Sequence, residues 1–302
     1  RECWAVASPS SVLARSSSLP LVVRFAPRGR MLAAGHADGT LLMWSVEVAP
    51  RPLGQGAHRH PVLDVLYSPR LSLAVTRTPE HLHGWAVPDV RETFAWHVGP
   101  VDDALFLPDG NHVMAAGPGR LTVIDLRDGR TARETSIHGS VARMAFDPRR
   151  NCLVTLLSTG GEKRLETRAL DTFEPLSTVP VAPSTRAFTL APDGLGCALT
   201  GPRVEVVERA DGHVRQVLET AHEGETEACW SRAVFSAEGR LLVAGSPCGR
   251  VHVWDTLHHR SAFVLEGHEG AVLDVDMLHG RGTVASGGAD GTVRLWTLTR
   301  RS

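Results

Sequence analysis

Apolar and polar residues alternate along this chain in short runs, and the runs come in groups. The clearest group is residues 267–298. It opens with Gly267-His268 and continues with an alternating apolar run and a run of small residues. Ala289-Asp290-Gly291 follows, and a third run ends at Trp296. Alternation of period two marks half-buried strands, and clusters of Gly, Pro and Asp between runs mark turns. The group therefore predicts short strands joined by tight turns.

The rest of the chain repeats the group. With Trp296 as reference, equivalent positions fall at Trp44, Trp85, Ile124, Arg168, Val207 and Trp254. Neighbouring positions are about 40 to 47 residues apart, the period of four-stranded propeller blades. A second marker keeps the same phase: Phe25-Ala-Pro-Arg-Gly29, Tyr67-Ser-Pro69, Phe106-Leu-Pro-Asp-Gly110, Phe146-Asp-Pro148, Leu190-Ala-Pro-Asp-Gly194 and Phe235-Ser-Ala-Glu-Gly239. Pro and Gly there fix a turn between two strands. Arg168 substitutes poorly for tryptophan, so the fourth unit is the weakest match.

This pattern resembles the WD40 repeat family over nearly the whole chain. In that family a Gly-His pair, the Asp of a tight turn and a closing Trp-Asp recur in each unit. Here the last unit matches best, with His268, Ser286, Asp290 and Trp296. The first offers His36, Asp38, Gly39 and Trp44, and the sixth His222 and Trp254-Asp255. The resemblance implies an all-β, seven-bladed propeller as one domain. Its units span about residues 19–57, 58–96, 97–137, 138–180, 181–221, 222–266 and 267–298. Residues 1–8 read as a strand that completes the last blade and removes an exposed edge. Ser10 to Ser18 reads as a flexible connection.

The resemblance also assigns His268, Asp290, Ser286 and Trp296 to a buried hydrogen-bond chain. Asp38, Trp44, His222, Trp254 and Asp255 are the corresponding structural marks elsewhere. A His/Asp/Ser set invites a hydrolase reading, but no strained nucleophile turn surrounds Ser286. No phosphate-binding G-x-x-x-x-G-K-[ST] loop occurs, and Lys163 is the only lysine. His58, His60, His81, His83 and His97 could supply imidazoles to one ion, yet two of them fill degenerate Gly-His places. No catalytic residue, metal or cofactor is assigned.

Composition narrows the partners. The 302 residues carry a net charge of -1 with scattered arginines, which gives no electrostatic case for nucleic acid or an anionic membrane. No apolar run approaches the roughly 20 residues of a membrane helix. Five cysteines without a C-x-x-C pair point to a reducing, cytoplasmic setting and buried thiols.

What remains is recognition. Aligning the inner strands on the turn aromatic gives one recurring position near the top of the central channel: Val22, Asp64, Asp103, Arg143, Ala187, Arg232 and Asp274. Five of the seven are charged, which suits either a solvated channel or a polar docking ring. Trp230 is a candidate anchor on a long connection, and His36, Lys163, Arg203 and Arg250 complete the rim. The expected role is a non-catalytic scaffold or sensor that docks a protein partner, peptide or folded domain, on this top face. The alternative is the regulatory propeller of a larger signalling enzyme, a kinase or NTPase, with its catalytic domain upstream of residue 1.

Overall fold

The computed structural model describes residues 3–6, 10–218, 230–258, 260–278 and 282–301. His222 and most of the connection before Trp230 lie outside them. All regular structure among the described residues is strand. The strands form seven antiparallel sheets, and each sheet is one blade of a closed ring. The innermost strands are Pro20–Phe25, Asp64–Tyr67, Asp103–Phe106, Ser140–Asp147, Ala187–Leu190, Val234–Phe235 and Val272–Leu278. Each touches the inner strand of the next blade, and the seventh returns to the first. The molecule is a seven-bladed β-propeller.

The repeated tryptophan position has one place in every blade. It lies on the third strand, opposite the second strand: Trp44 faces Leu32, Trp85 Ala74, Ile124 Val113, Arg168 Leu153, Val207 Cys197, Trp254 Leu242 and Trp296 Val284. In blades 1, 3, 4, 5 and 6 the pairing with the outer strand shifts by a bulge immediately before this residue. The position thus marks where the sheet twists outward. Arg168 fits it because its buried guanidinium pairs with Glu166 at 2.5 Å and donates to the Phe173 carbonyl at 2.7 Å.

The core is divided among the seams. Seven apolar clusters of the described residues each combine side chains of two adjacent blades. A blade alone would leave one face of each seam in water, so stability comes from closing the ring.

Closure uses more of the N-terminal segment than its sequence suggests. Cys3–Val6 pairs antiparallel with Leu298–Arg301. Ser11–Arg15, inside the stretch expected to be a flexible connection, is a second strand and pairs with Thr292–Leu295. Ser11–Arg15 therefore occupies the outer-strand place of blade 7. Its Leu13 and Ala14 pack on the apolar seam between blades 7 and 1.

The turns between the first and second strands sit on the bottom face. Gly29, Gly110, Gly194 and Gly239 all adopt positive φ there. A Cβ on Gly29 would strike Leu278 of the preceding blade, and one on Gly110 would come within 2.9 Å of the Arg70 Cβ. Glycine both makes the turn and lets it close on its neighbour.

Candidate functional site

The inner strands bring their charged side chains together in the channel. Arg143 Nη1 lies 3.1 Å from Asp64 Oδ2 and 3.2 Å from Asp103 Oδ1. Arg24 reaches Asp64 at 3.0 Å and also pairs with Asp274. Arg232 lies 3.7 Å from Asp274 and 3.3 Å from Asp276. The result is one alternating chain: Asp103, Arg143, Asp64, Arg24, Asp274, Arg232, Asp276. It links blades 3, 4, 2, 1, 7 and 6. Blade 5, whose inner strand is Ala-Phe-Thr-Leu, supplies no charge to it.

The carboxylates also hold backbone. Asp274 accepts from the Val23 N–H at 3.0 Å and Asp276 from Phe25 N–H at 2.7 Å, both on the next blade. Asp103 accepts from Met144 N–H of blade 4 at 2.6 Å. These are free edges of inner strands, so each acid satisfies donors that a ring of separate sheets leaves open.

Burial and pairing set the protonation of the chain. Burial works to raise the Asp64 carboxyl, but Arg24 and Arg143 outweigh it and hold the group well below the carboxylate range. Asp103 and Asp276 are raised, chiefly by burial. Burial brings Arg232 down to about 10, with Arg24 adding to the effect.

This geometry changes the expected role of the channel position. Asp64 and Asp103 are each 1 % exposed and Asp274 is buried. They are neither solvated nor turned outward to a partner, because their charges are already met by arginines of neighbouring blades. Val22 is packed in the apolar seam between blades 1 and 2. Arg24 and Asp276 were missed in the sequence, although each lies two residues beyond an aligned position and so on the same strand face.

The rim residues divide. His36 is fully buried beneath the turn it was expected to expose. Trp230 is also buried, with its ring 5.0 Å from His252 and 5.6 Å from Trp254, so it packs the seam rather than anchoring a partner. Arg250 is half-buried and pairs with Glu266 at 3.0 Å. Lys163 donates to the Thr185 carbonyl at 2.5 Å and so ties blade 4 to the connection entering blade 5. Arg203 is exposed. It borders a top-face cavity of about 240 Å³ lined also by Ser184, Thr185, Thr200 and Glu205. The Thr200 hydroxyl is buried there and has no hydrogen-bond partner among the described residues.

In blade 7, His268 Nε2 is 2.8 Å from Ser286 Oγ, and the Trp296 indole donates to the same oxygen at 2.8 Å. His268 Nδ1 meets Asp290 at 3.0 Å. Burial works to raise the Asp290 carboxyl, but donors from Thr292, Glu269 and His268 outweigh it and hold it down to about 2. The serine is occupied by two partners and buried, so it is no nucleophile. Blade 2 carries a related set, His58 to Thr76 at 2.7 Å and Trp85 to Thr76 at 2.9 Å. The expected marks Trp44, Trp254 and Asp255 are buried. Asp38 is exposed and accepts from the Thr40 N–H at 2.9 Å across its turn.

The histidines of blade 2 meet edge to face, with ring centroids 4.5 Å apart for His58 and His83 and 4.9 Å for His81 and His97. Among the described residues no group of three or more His, Cys, Asp or Glu is placed to hold a metal ion. Cys152 and Cys197 are buried free thiols, whereas Cys248 is exposed on a turn, against the expectation for it.

Comparison with known proteins picks out three of the four blades that keep their tryptophan. The family model for the WD domain, G-beta repeat (WD40), matches residues 14–45, 212–255 and 260–297, which fall on blades 1, 6 and 7. Over 98 residues, 32% of this chain, the sequence is 35% identical to mouse (Mus musculus) NACHT domain- and WD repeat-containing protein 1, of which the match covers 6%. Over 232 residues, 69% of this chain, it is 26% identical to the guanine nucleotide-binding protein subunit beta of Solanum tuberosum, of which 59% is covered. The chain thus spans less than two thirds of either relative. The chain is thus a seven-bladed β-propeller in which three blades match the WD40 repeat and the other four keep the same strand register.

Proposed function

We propose that this propeller is a non-catalytic interaction module, and that a protein partner docks on its top face at the seam between blades 4 and 5. The carrying observation is the cavity beside Arg203. A buried hydroxyl without a partner costs roughly 1–3 kcal/mol, and a ligand that reaches Thr200 recovers it. Arg203 stands exposed at the same opening, where it can orient an acidic or carbonyl group of the partner. Channel arginines 143 and 232 support the frame instead. One relative is by name a subunit, which fits a role within an assembly.

The test is capture from the native host on immobilised protein, read by mass spectrometry. The expected result is one dominant partner that is lost with Arg203→Glu or Thr200→Val, both without a change in melting temperature. Retention of the partner by both variants would move the site elsewhere. Retention of nothing above the bare matrix would remove the interaction reading.

A second reading follows from the match to a protein whose name joins a NACHT domain to WD repeats. In that reading the propeller regulates a catalytic domain of the same chain. Reading the gene upstream of Arg1 decides it: a continuous open frame encoding an NTPase or kinase supports it, and a nearby start codon refutes it.

A further inference from the structure

On the bottom face the seam between blades 1 and 2 lacks a glycine contact that four other seams have. In blades 1, 3, 5 and 6 the fourth residue after the turn's Phe or Leu is glycine: Gly29, Gly110, Gly194 and Gly239. Each presses its turn on the blade before, against Leu278, Arg70, Arg149 and Pro192 respectively. In blade 2 the equivalent residue is Leu71, and it is 46 % exposed. A turn with a side chain at this point cannot close in the same way. The seam between blades 1 and 2 remains open as a groove of about 350 Å³.

The groove has an apolar floor and a cationic rim. Met31, Leu53 and Tyr67 form the floor, half-buried and continuous with the apolar cluster of that seam. Leu73 and Val87 extend it. Arg28, Arg30, Arg51 and Arg70 stand around it, all exposed. Glu47 is the one carboxylate among the lining residues, and it pairs with Arg30 at 3.3 Å. Arg28, Arg51 and Arg70 have no carboxylate within ion-pair distance among the described residues.

We infer that this groove docks an extended acidic segment of a partner protein, with aliphatic side chains on the floor and carboxylates against the arginines. The volume admits a few side chains but not a folded domain. An apolar strip flanked by uncompensated cations selects for both features at once: a purely acidic chain gains nothing from the floor, and a neutral apolar one leaves the rim unpaired. The recessed floor argues against a membrane, which would need a protruding apolar surface. The groove faces away from the top-face cavity, so the two readings stand or fall separately.

The probe is a fluorescein-labelled peptide of sequence DELDLEE, titrated with the full chain and followed by fluorescence polarisation. Saturable binding is expected, weakened at least tenfold in the double variant Arg51→Glu/Arg70→Glu and several-fold in Leu71→Ser. These residues are exposed, so melting temperatures should stay unchanged. Replacing both leucines of the probe by serine should also weaken binding at least tenfold, while Arg203→Glu leaves it unaltered. The inference is overturned by an absence of saturable binding, by equal binding to the Arg51/Arg70 variant, or by equal binding of the serine probe. It is also overturned if phosphatidylserine vesicles bind through Arg51 and Arg70 and the peptide does not.

Discussion

Removing one arginine from the channel chain tests whether those charges hold the ring. Arg143→Met keeps the aliphatic stem and deletes the guanidinium that lies 3.1 Å from Asp64 and 3.2 Å from Asp103. Breaking a buried ion pair from one side costs about 3–5 kcal/mol. Asp64 keeps Arg24 at 3.0 Å, so most of the loss falls on Asp103. Burial already raises that carboxyl, and without Arg143 it is driven further up. A group whose folded pKa is raised loses stability as pH climbs above the unfolded value. The deficit should therefore be larger at pH 7 than at pH 5. Urea unfolding of both proteins at pH 5 and pH 7 measures it. A deficit below about 1 kcal/mol at pH 7, or one equal at both pH values, would refute the electrostatic account.

Closure of the ring separates into two truncations. Removing residues 1–9 leaves Ser11–Arg15 on the last blade and should lower stability modestly, whereas removing residues 1–16 exposes the edge of Thr292–Leu295 and the seam under Leu13 and should cost several kcal/mol more. Equal melting curves for the two would contradict the outer-strand role of Ser11–Arg15. Ser286→Ala leaves the Trp296 N–H and His268 Nε2 buried without their partner and should destabilise by about 2–4 kcal/mol, read by calorimetry.

The repeat was legible because it is local. A tryptophan or its substitute every 40 or so residues, in phase with a Pro/Gly turn, places each third strand without reference to any other blade. Even Arg168 keeps the register, since Glu166 two residues away supplies its countercharge. The closing strand expected within residues 1–8 is there as Cys3–Val6, but the second one, Ser11–Arg15, was not legible. An outer strand of a blade buries little, so its composition can be as polar as Ser-Val-Leu-Ala-Arg or the Thr-Ala-Arg-Glu-Thr-Ser of blade 3. Serines in such a stretch read as a linker when no partner strand is visible. The channel charges stood out as charges, but their partners lie on other blades, up to 251 positions away in sequence for the Asp274 bond to Val23. Spacing along one strand cannot reveal a pair formed across a ring. The open groove was invisible for the opposite reason: it follows from the leucine at 71 in place of glycine, whose significance appears only beside the turns of blades 1, 3, 5 and 6.

The pairing of Ser11–Arg15 with Thr292–Leu295 has a consequence in time. The two strands are made about 280 residues apart, and synthesis at about 5–20 residues per second separates them by roughly 14–56 s. Through that interval the first blade is complete on its own side but lacks its neighbour, and the early strand has no edge to join. The ring is fastened last by the strand of it that is made earliest. The nascent propeller therefore stays an open arc until its last blade is made, and its exposure to misassociation ends in one late step.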